Sequence, residues 1–154
     1  MKFKLMLPIL GLLLAPAAQA TFHISNCTLT PPAAMIFNTN LSNGLTSTTS
    51  FSVSCTTSGG GSGVYTITLS SGSGTEAQRK LISGSNVLNY NLYQDAAFTQ
   101  PWGATSGTWN AQTATGDFSN KSFTIYGKIA SGAPNNSAPP GVYTDPSIIV
   151  TITW

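Results

Sequence analysis

Short stretches of the chain alternate between apolar and polar residues, as expected of β-strands that bury one face. Thr, Val, Ile and Tyr, which suit a pleated and half-buried surface, are common in these stretches. Clusters of Gly, Ser, Asn and Pro separate them and predict turns. The clearest predicted strands are residues 51–55, 64–69, 87–93, 123–129 and 148–154, and weaker ones are 22–29, 34–37 and a short run at Phe118.

These runs amount to six or seven strands, since not every weak run need form one, and their spacing predicts an all-β protein, an antiparallel β-sandwich. The single stretch with helix-like content, residues 75–81, is too short to add a helical layer. The pattern shows no internal repeat and no linker long enough to separate two domains. We therefore expect one sandwich domain.

The last predicted strand has two unequal faces. Ile148, Val150, Ile152 and Trp154 lie on one face, whereas Ile149 is the one apolar residue on the other. Because the face with four apolar members gains more from burial, we expect it to point into the sandwich.

The first twenty residues have a different character. Two lysines stand in residues 1–4, an apolar run follows over 5–14, and Ala18-Gln19-Ala20 supplies small residues for cleavage, which is the layout of a secretory signal peptide. The run is shorter than the roughly twenty apolar residues that span a bilayer. We therefore predict a signal peptide over residues 1–20, and an exported mature domain over 21–154.

Cys27 and Cys55 are the two cysteines of the chain. An exported protein meets an oxidising compartment, so we predict a disulfide between them. A catalytic thiol would need a nearby base, and the one histidine, His23, lies close to the mature start. A zinc site would need two further ligands of the usual type. Closing a loop of about 28 residues restricts the unfolded chain by roughly 3–4 kcal/mol in the loop-entropy model.

Charged residues make up 6% of the 154 residues, against about 25% in an ordinary domain. Nucleic-acid binding requires clustered basic residues, and the one adjacent basic pair is Arg79-Lys80, so this function is excluded. After cleavage four basic residues would balance four acidic ones. A neutral, charge-poor surface does little to prevent association, which favours a protein built into a larger assembly.

The inventory of reactive side chains argues against catalysis. A Ser-His-acid arrangement needs a suitably placed histidine, and the chain has no Gly-x-Ser-x-Gly turn. The four carboxylates stand in or beside turn signals, where Asp commonly forms local hydrogen bonds. We predict no enzyme activity, no cofactor, no metal site and no small-molecule substrate. These carboxylates are Glu76, Asp95, Asp117 and Asp145.

Aromatic residues leave a binding function open. Trp102 and Trp109 lie among Gly, Thr and Ser, where half-exposed rings are compatible with the local sequence, so they are candidate surface contacts. Trp154 is in register with the apolar face of the last strand and belongs to the core on that pattern. An alternative function is therefore a self-complete secreted sandwich that binds carbohydrate through Trp102 and Trp109.

Four stretches in order resemble the spore coat protein U family, whose members include pilin subunits of archaic chaperone–usher pili. The placement of Cys27 and Cys55 agrees with this resemblance, which spans essentially the whole mature chain. The four stretches are Leu-Asn-Tyr-Asn-Leu-Tyr at 88–93 with Asp95, Trp-Gly at 102–103, Phe-Thr-Ile-Tyr-Gly-Lys-Ile at 123–129, and 140–145 followed by 148–154.

The resemblance implies an incomplete immunoglobulin-like antiparallel β-sandwich, pilin-like, whose last strand is missing and is supplied in trans. The sequence agrees in that it stops at Trp154 with no segment left for another strand. A missing strand exposes unpaired N–H and C=O groups beside an apolar groove, which an extended segment of another chain can fill. We expect Ile148, Val150, Ile152 and Trp154 to border this acceptor groove.

The resemblance also implies the partners: a periplasmic pilus chaperone, an outer-membrane usher and a neighbouring pilin subunit. It implies an extracellular pilus or fimbria subunit, exported through the periplasm, that contributes to adhesion to a host or abiotic surface and to biofilm. An outer-coat structural protein is a further alternative.

Polymerising members of the family resemble one another in carrying an N-terminal donor extension before the first cysteine. Only residues 21–26 stand there in this chain. We therefore expect a subunit that accepts a strand but donates poorly and sits at the fibre tip. The alternative is an ordinary subunit for which the short leader suffices.

Overall fold

The computed structural model describes residues 23–37, 44–59, 63–105, 107, 110–114, 116–132 and 134–154. The predicted signal peptide and Trp109 lie outside these residues. Within the described ranges, no helix combines the length and the hydropathy that a bilayer crossing requires.

Antiparallel strands build the described fold, which confirms the all-β class. One sheet has five strands in the order β1-β2-β7-β5-β4, and the other has three in the order β6-β3-β8. The arrangement is a sandwich consistent with an immunoglobulin-like fold. The strands are β1 (His23–Thr30), β2 (Leu45–Ser58), β3 (Gly63–Leu69), β4 (Arg79–Ser83), β5 (Asn86–Tyr93), β6 (Asn110–Ala114), β7 (Phe118–Ile129) and β8 (Val150–Thr153), and one 3₁₀ turn spans Asn135–Ser137.

Each of the five clearest predicted strands overlaps an observed one, although the bounds differ. The prediction at 51–55 is the middle of the much longer β2, and the prediction at 148–154 shortens to β8. Two strands were not predicted, β4 and β6, and β4 begins inside the stretch with helix-like content. Residues 34–37 do not join a strand.

The inner faces of the two sheets meet in one apolar core, because alternate side chains of each strand point inward. Phe51 and Phe123 are directly opposite each other in the β2–β7 register, and their rings stack with centroids 5.4 Å apart. The sheet of three strands contributes Tyr65, Ile67 and Leu69 from β3, all fully buried.

The predicted disulfide is confirmed. Cys27 of β1 and Cys55 of β2 are register partners, and both side chains are buried. Their sulfurs are 2.01 Å apart, across a sequence separation of 28 residues. The bond therefore fixes the first strand of the five-stranded sheet to its neighbour.

A buried arginine closes one end of the sandwich. Arg79 is 0% exposed, and its guanidinium donates to the carbonyl oxygens of Ser70 at 2.8 Å and Trp102 at 2.8 Å and to Oδ1 of Asn91 at 2.5 Å. The amide of Asn91 donates in turn to the carbonyl of Glu76 at 3.0 Å. Burial lowers the pKa of Arg79, but an arginine keeps its charge in proteins. We call these contacts the Arg79 network; they join the ends of β3 and β4 to the segment that carries Trp102.

The four carboxylates hold loops, but mostly not by the local bonds that the sequence suggests. Asp95 is the local case, since its carboxylate accepts a bond from the backbone N–H of Gln100 at 2.8 Å, and this bond lowers the pKa of Asp95. The others accept bonds from residues distant in the sequence, although Asp145 also accepts a local bond from the N–H of Ser147 at 3.2 Å. Glu76 accepts from the N–H of Ala104 at 2.7 Å, Asp117 from that of Thr57 at 2.6 Å, and Asp145 from Oγ of Ser73 at 3.0 Å.

Candidate functional site

An apolar groove with a volume of about 1150 Å³ opens between β8 and the inner face of the five-stranded sheet. On one side β8 pairs with β3, from Val150 opposite Leu69 to Thr153 opposite Thr66. On its other side β8 has no strand partner in the part of the chain that the structure describes. The backbone N–H and C=O groups at this edge of β8 therefore face the groove without hydrogen bonds to a neighbouring described strand.

The floor of the groove exists because the two sheets differ in width. One sheet has two strands more than the other, which at about 4.8 Å per strand leaves roughly 10 Å of inner face uncovered by a sheet. Except for Tyr90, the side chains on this floor are aliphatic. They are Leu45, Leu81, Leu88, Tyr90, Leu92, Ile125 and Ile129.

Of the four residues expected to border the groove, Ile148 and Val150 line it. Ile152 and Trp154 are not among the lining residues, although Ile152 is partly buried against the core. Ile149 points the other way and is 63% exposed. Trp154 is 50% exposed, and its expected place in the core is wrong because β8 ends one residue earlier, at Thr153.

The approach to β8 is anchored to the turn that follows β3. The N–H of Ser70 donates to the carbonyl of Ile149 at 3.0 Å, and Oγ of Ser70 accepts from the N–H of Ile149 at 2.9 Å. Gly72, with φ of +60°, comes so close to Asp145 and Ile148 that a Cβ there would collide with both side chains. These contacts hold the free edge of β8 in a fixed position.

A polar pair lies at one end of the groove. The hydroxyl of Tyr90 donates to Oδ2 of Asp145 at 2.9 Å, and both residues line the groove. Burial and this hydrogen bond raise the pKa of Tyr90 above its usual range. Sequence reasoning missed the pair because 55 residues separate its members.

Residues 31–37, which we call the strap, form the border of the groove opposite β8. Met35 and Phe37 line the groove and are partly buried, whereas Ile36 between them is 75% exposed. The ring of Phe37 meets that of Tyr90 edge-on, with centroids 6.5 Å apart. The strap follows β1 in the chain but belongs to no strand.

A comparison with known protein families identifies the family of this chain. Residues 14–153 match the profile of the Spore Coat Protein U domain. The chain belongs to the spore coat protein U family. This confirms the family to which the sequence motifs pointed. A search among curated proteins finds no match.

The spore coat protein U family is a structural, pilin-like family associated with chaperone–usher pilus-type surface structures. In this member the groove beside β8 is the feature that offers room for another chain. Within the described ranges, no group of three or more His, Cys, Asp or Glu side chains is placed to hold a metal ion.

One of the two tryptophans expected to contact carbohydrate in this spore coat protein U domain is buried. Trp102 is 1% exposed and packs against Phe51, with ring centroids 6.2 Å apart, so the expectation of a half-exposed ring is wrong. The reason is in the backbone, since the N–H of Trp102 donates to the carbonyl of Leu92 at 2.9 Å and its own carbonyl accepts from Arg79. These bonds draw residue 102 between the sheets. Trp109 lies outside the described residues.

Proposed function

We propose that this protein is a secreted structural subunit of a surface pilus whose sandwich is completed by a β-strand from another chain. The observation that carries the proposal is the free edge of β8 above an apolar groove. Such an edge is a template for strand addition, because its unpaired N–H and C=O groups can bond to an incoming backbone.

The floor of the groove supports an extended apolar segment as the occupant. A strand that pairs with β8 would turn every second side chain toward Leu92, Ile125 and Ile129. Four or five inserted apolar side chains, at roughly 1.5–3 kcal/mol each, contribute some 6–15 kcal/mol before ordering costs. This is comparable to the roughly 5–15 kcal/mol that stabilises a whole domain. The empty subunit should then be marginal and the filled one durable.

The partners follow from this mode of assembly. A periplasmic chaperone supplies the strand first, an outer-membrane usher secretes the subunit, and a neighbouring pilin subunit supplies the final strand. The filled subunit becomes part of an extracellular fibre that contributes to adhesion and biofilm.

The N-terminal residues favour accepting a strand over donating one. β1 already begins at His23, and Ile24 is buried against the core, so residues 23–26 are engaged in their own sheet. They would have to leave β1 before they could serve a neighbour. Placement at the fibre tip stays a prediction from the sequence.

The test is to supply the strand artificially. Residues 21–154 are produced with the disulfide formed and with a flexible linker and eight alternating Thr and Val residues fused after Trp154, using a short and a long linker to allow both strand directions. The matched control replaces each Val of the added strand by Ser. We expect the Val strand to give a monomer whose Tm is higher than that of the control by roughly 10 °C or more.

The opposite outcome is equally clear. If the chain without an added strand is monomeric, unfolds cooperatively and is as stable as the Val-strand fusion, strand addition does not complete this domain. The self-complete sandwich would then be the better description.

A further inference from the structure

The strap resembles an occupant of the groove more than a part of the sheet. Met35 and Phe37 are partly buried in the groove, whereas Ile36, at its rim, is 75% exposed, and this alternation of exposure is that of an extended strand. Its backbone nevertheless joins no ladder in the part of the chain that the structure describes. The strap therefore places strand-like side chains on the groove floor without strand-like hydrogen bonding.

Gly127 provides the place where these side chains sit. It lies on the inner face of β7 between Ile125 and Ile129, where an inward side chain would normally stand. A Cβ at Gly127 would collide with Sδ of Met35 and would be 2.8 Å from Cζ of Phe37. The two side chains thus fill a space that the glycine leaves open, and we call this space the Gly127 seat. A second strand cannot place side chains there while the seat is occupied.

Within the described ranges, one side-chain hydrogen bond holds the backbone of the strap. Oγ1 of Thr49 donates to the carbonyl of Ala33 at 2.9 Å. Pro31 and Pro32 lack backbone N–H groups, so they cannot donate to a ladder. By contrast, the approach to β8 is held by several bonds to Ser70. Of the two borders, the strap is therefore the one whose displacement breaks fewer of the described hydrogen bonds.

We infer that the strap is a self-inhibitory occupant, whose Met35 and Phe37 leave the Gly127 seat when a donor strand enters the groove. This inference rests on the proposed function, since it assumes that a strand does enter. A donor that binds only the vacated groove has its apparent affinity reduced by the fraction of molecules in which the seat is vacant. The strap therefore sets how readily the empty subunit accepts a strand.

The first test uses the sign of a mutational effect. A fluorescently labelled peptide of eight alternating Thr and Val residues is added to residues 21–154, and its association rate and Kd are measured by anisotropy. We expect Phe37→Ala to bind the peptide roughly tenfold faster and tighter, because less apolar surface holds the strap in its seat. Val64→Ala is the matched control and should behave as the wild type, since Val64 is 61% exposed and does not line the groove.

A strap that is instead a fixed wall of the groove predicts the reverse sign. Phe37→Ala would then remove a contact with the donor, so the peptide would bind more weakly and no faster, and the inference would be overturned.

A second test follows the strap directly and needs no substitution within the strap. Met35 is the one methionine in residues 21–154. Its oxidation by peroxide to the sulfoxide can be followed at the peptide level by mass spectrometry. We expect Met35 to oxidise faster in the Val-strand fusion than in the Ser-strand control, because the inserted strand displaces it toward solvent.

Slower oxidation in the Val-strand fusion would mean that the inserted strand covers a strap that has not moved, and would overturn the inference. The two proposals also separate in this experiment. If the Val strand raises the Tm but protects Met35, strand addition stands and the strap inference fails. If the Val strand neither raises the Tm nor alters oxidation, both are wrong.

Discussion

The end of the sandwich around Arg79 and the side along β8 differ in how completely their backbone is bonded. At the Arg79 end, a fully buried guanidinium supplies donors to carbonyl groups from two separate segments. Along β8, one edge of a strand and an apolar floor meet without a covering strand in the described ranges. The same two sheets are therefore finished at one end and open along one side.

This difference shows what an open groove requires of the remainder of a small domain. An uncovered inner face loses the apolar burial that would otherwise stabilise the sheets. The disulfide joins β1 to β2, and the Arg79 network joins the ends of β3 and β4 to the segment of Trp102. On the proposed function, these contacts would support the domain before a strand is added.

The largest expected effect on the free energy of unfolding comes from removing the buried guanidinium of Arg79. Arg79→Met leaves the carbonyls of Ser70 and Trp102 without their donors, so we expect a loss of about 3–5 kcal/mol in the free energy of unfolding. Urea unfolding of the Val-strand fusion measures it. Lys80→Met is the matched control, since Lys80 is exposed, and should change stability by less than about 0.5 kcal/mol. Equal effects of the two substitutions would show that the Arg79 network does not stabilise the closed end.

Removing the disulfide should cost slightly less. We expect Cys27→Ala with Cys55→Ala to lower the free energy of unfolding by about 3–4 kcal/mol, because the unfolded chain regains the freedom of the closed loop. The loss should be the same with the groove empty or filled, since the bond lies between β1 and β2 rather than on the groove floor. A loss confined to the empty form, measured by urea unfolding of both forms, would contradict this.

A substitution on the open side should separate binding from folding. Val150→Ser removes an apolar side chain that lines the groove, so we expect the Thr/Val peptide to bind with a Kd about five- to thirtyfold higher, which corresponds to about 1–2 kcal/mol. Thr151→Ser is the control, because Thr151 is exposed on the other face of β8. Fluorescence anisotropy measures both. An unchanged Kd for Val150→Ser would remove β8 from the binding surface.

The smallest expected effect concerns pH, at the polar end of the groove. The pKa of Tyr90 is raised in the folded state by burial and by the bond to Asp145, so its folded form favours the neutral phenol. The resulting stability is fully present below the ordinary tyrosine pKa of about 10 and is lost as pH rises above that value. Tyr90→Phe should therefore flatten the decline of stability as pH rises from about 10 to 12.

Urea unfolding across that pH range, with wild type and Tyr90→Phe compared, gives the measurement. Tyr65 also has a pKa raised by burial, but it is present in both proteins and cancels in the difference. Identical slopes for the two proteins would mean that Tyr90 does not carry the alkaline sensitivity.

Alternation predicted the strands that bury a regular apolar face, because side-chain period 2 is a local property of the sequence. Phe51, Val53 and Cys55 in β2 and the β7 residues of 123–129 are of this kind. β4 was missed because its inner face combines Arg79 with Leu81, and a charged arginine is not expected at a buried position. β6 was missed because Asn110, Ala111 and Gln112 are poor strand formers. Its pairing with β3 overrides their local preference.

The site was predictable only in part, for the same reason. The inward face of β8 follows from alternation, and so does the presence of Ile148 and Val150 at the groove. The bond between Tyr90 and Asp145 and the contact of Met35 with Gly127 depend on residues far apart in the chain. Trp102 was misplaced because its burial depends on a bond to Arg79, which no local pattern contains.

The position of the disulfide has a mechanical consequence. A force applied to the N-terminal side of the domain would be transmitted through β1. Cys27 passes that tension through a covalent bond into β2, a strand of 14 residues at the centre of the chain's longest strand pairing. The segment between the two cysteines, which are separated by 28 positions, cannot be extended while the bond is intact, and this withholds about 100 Å of chain length. Under load the domain would therefore stretch little before the five-stranded sheet itself resists.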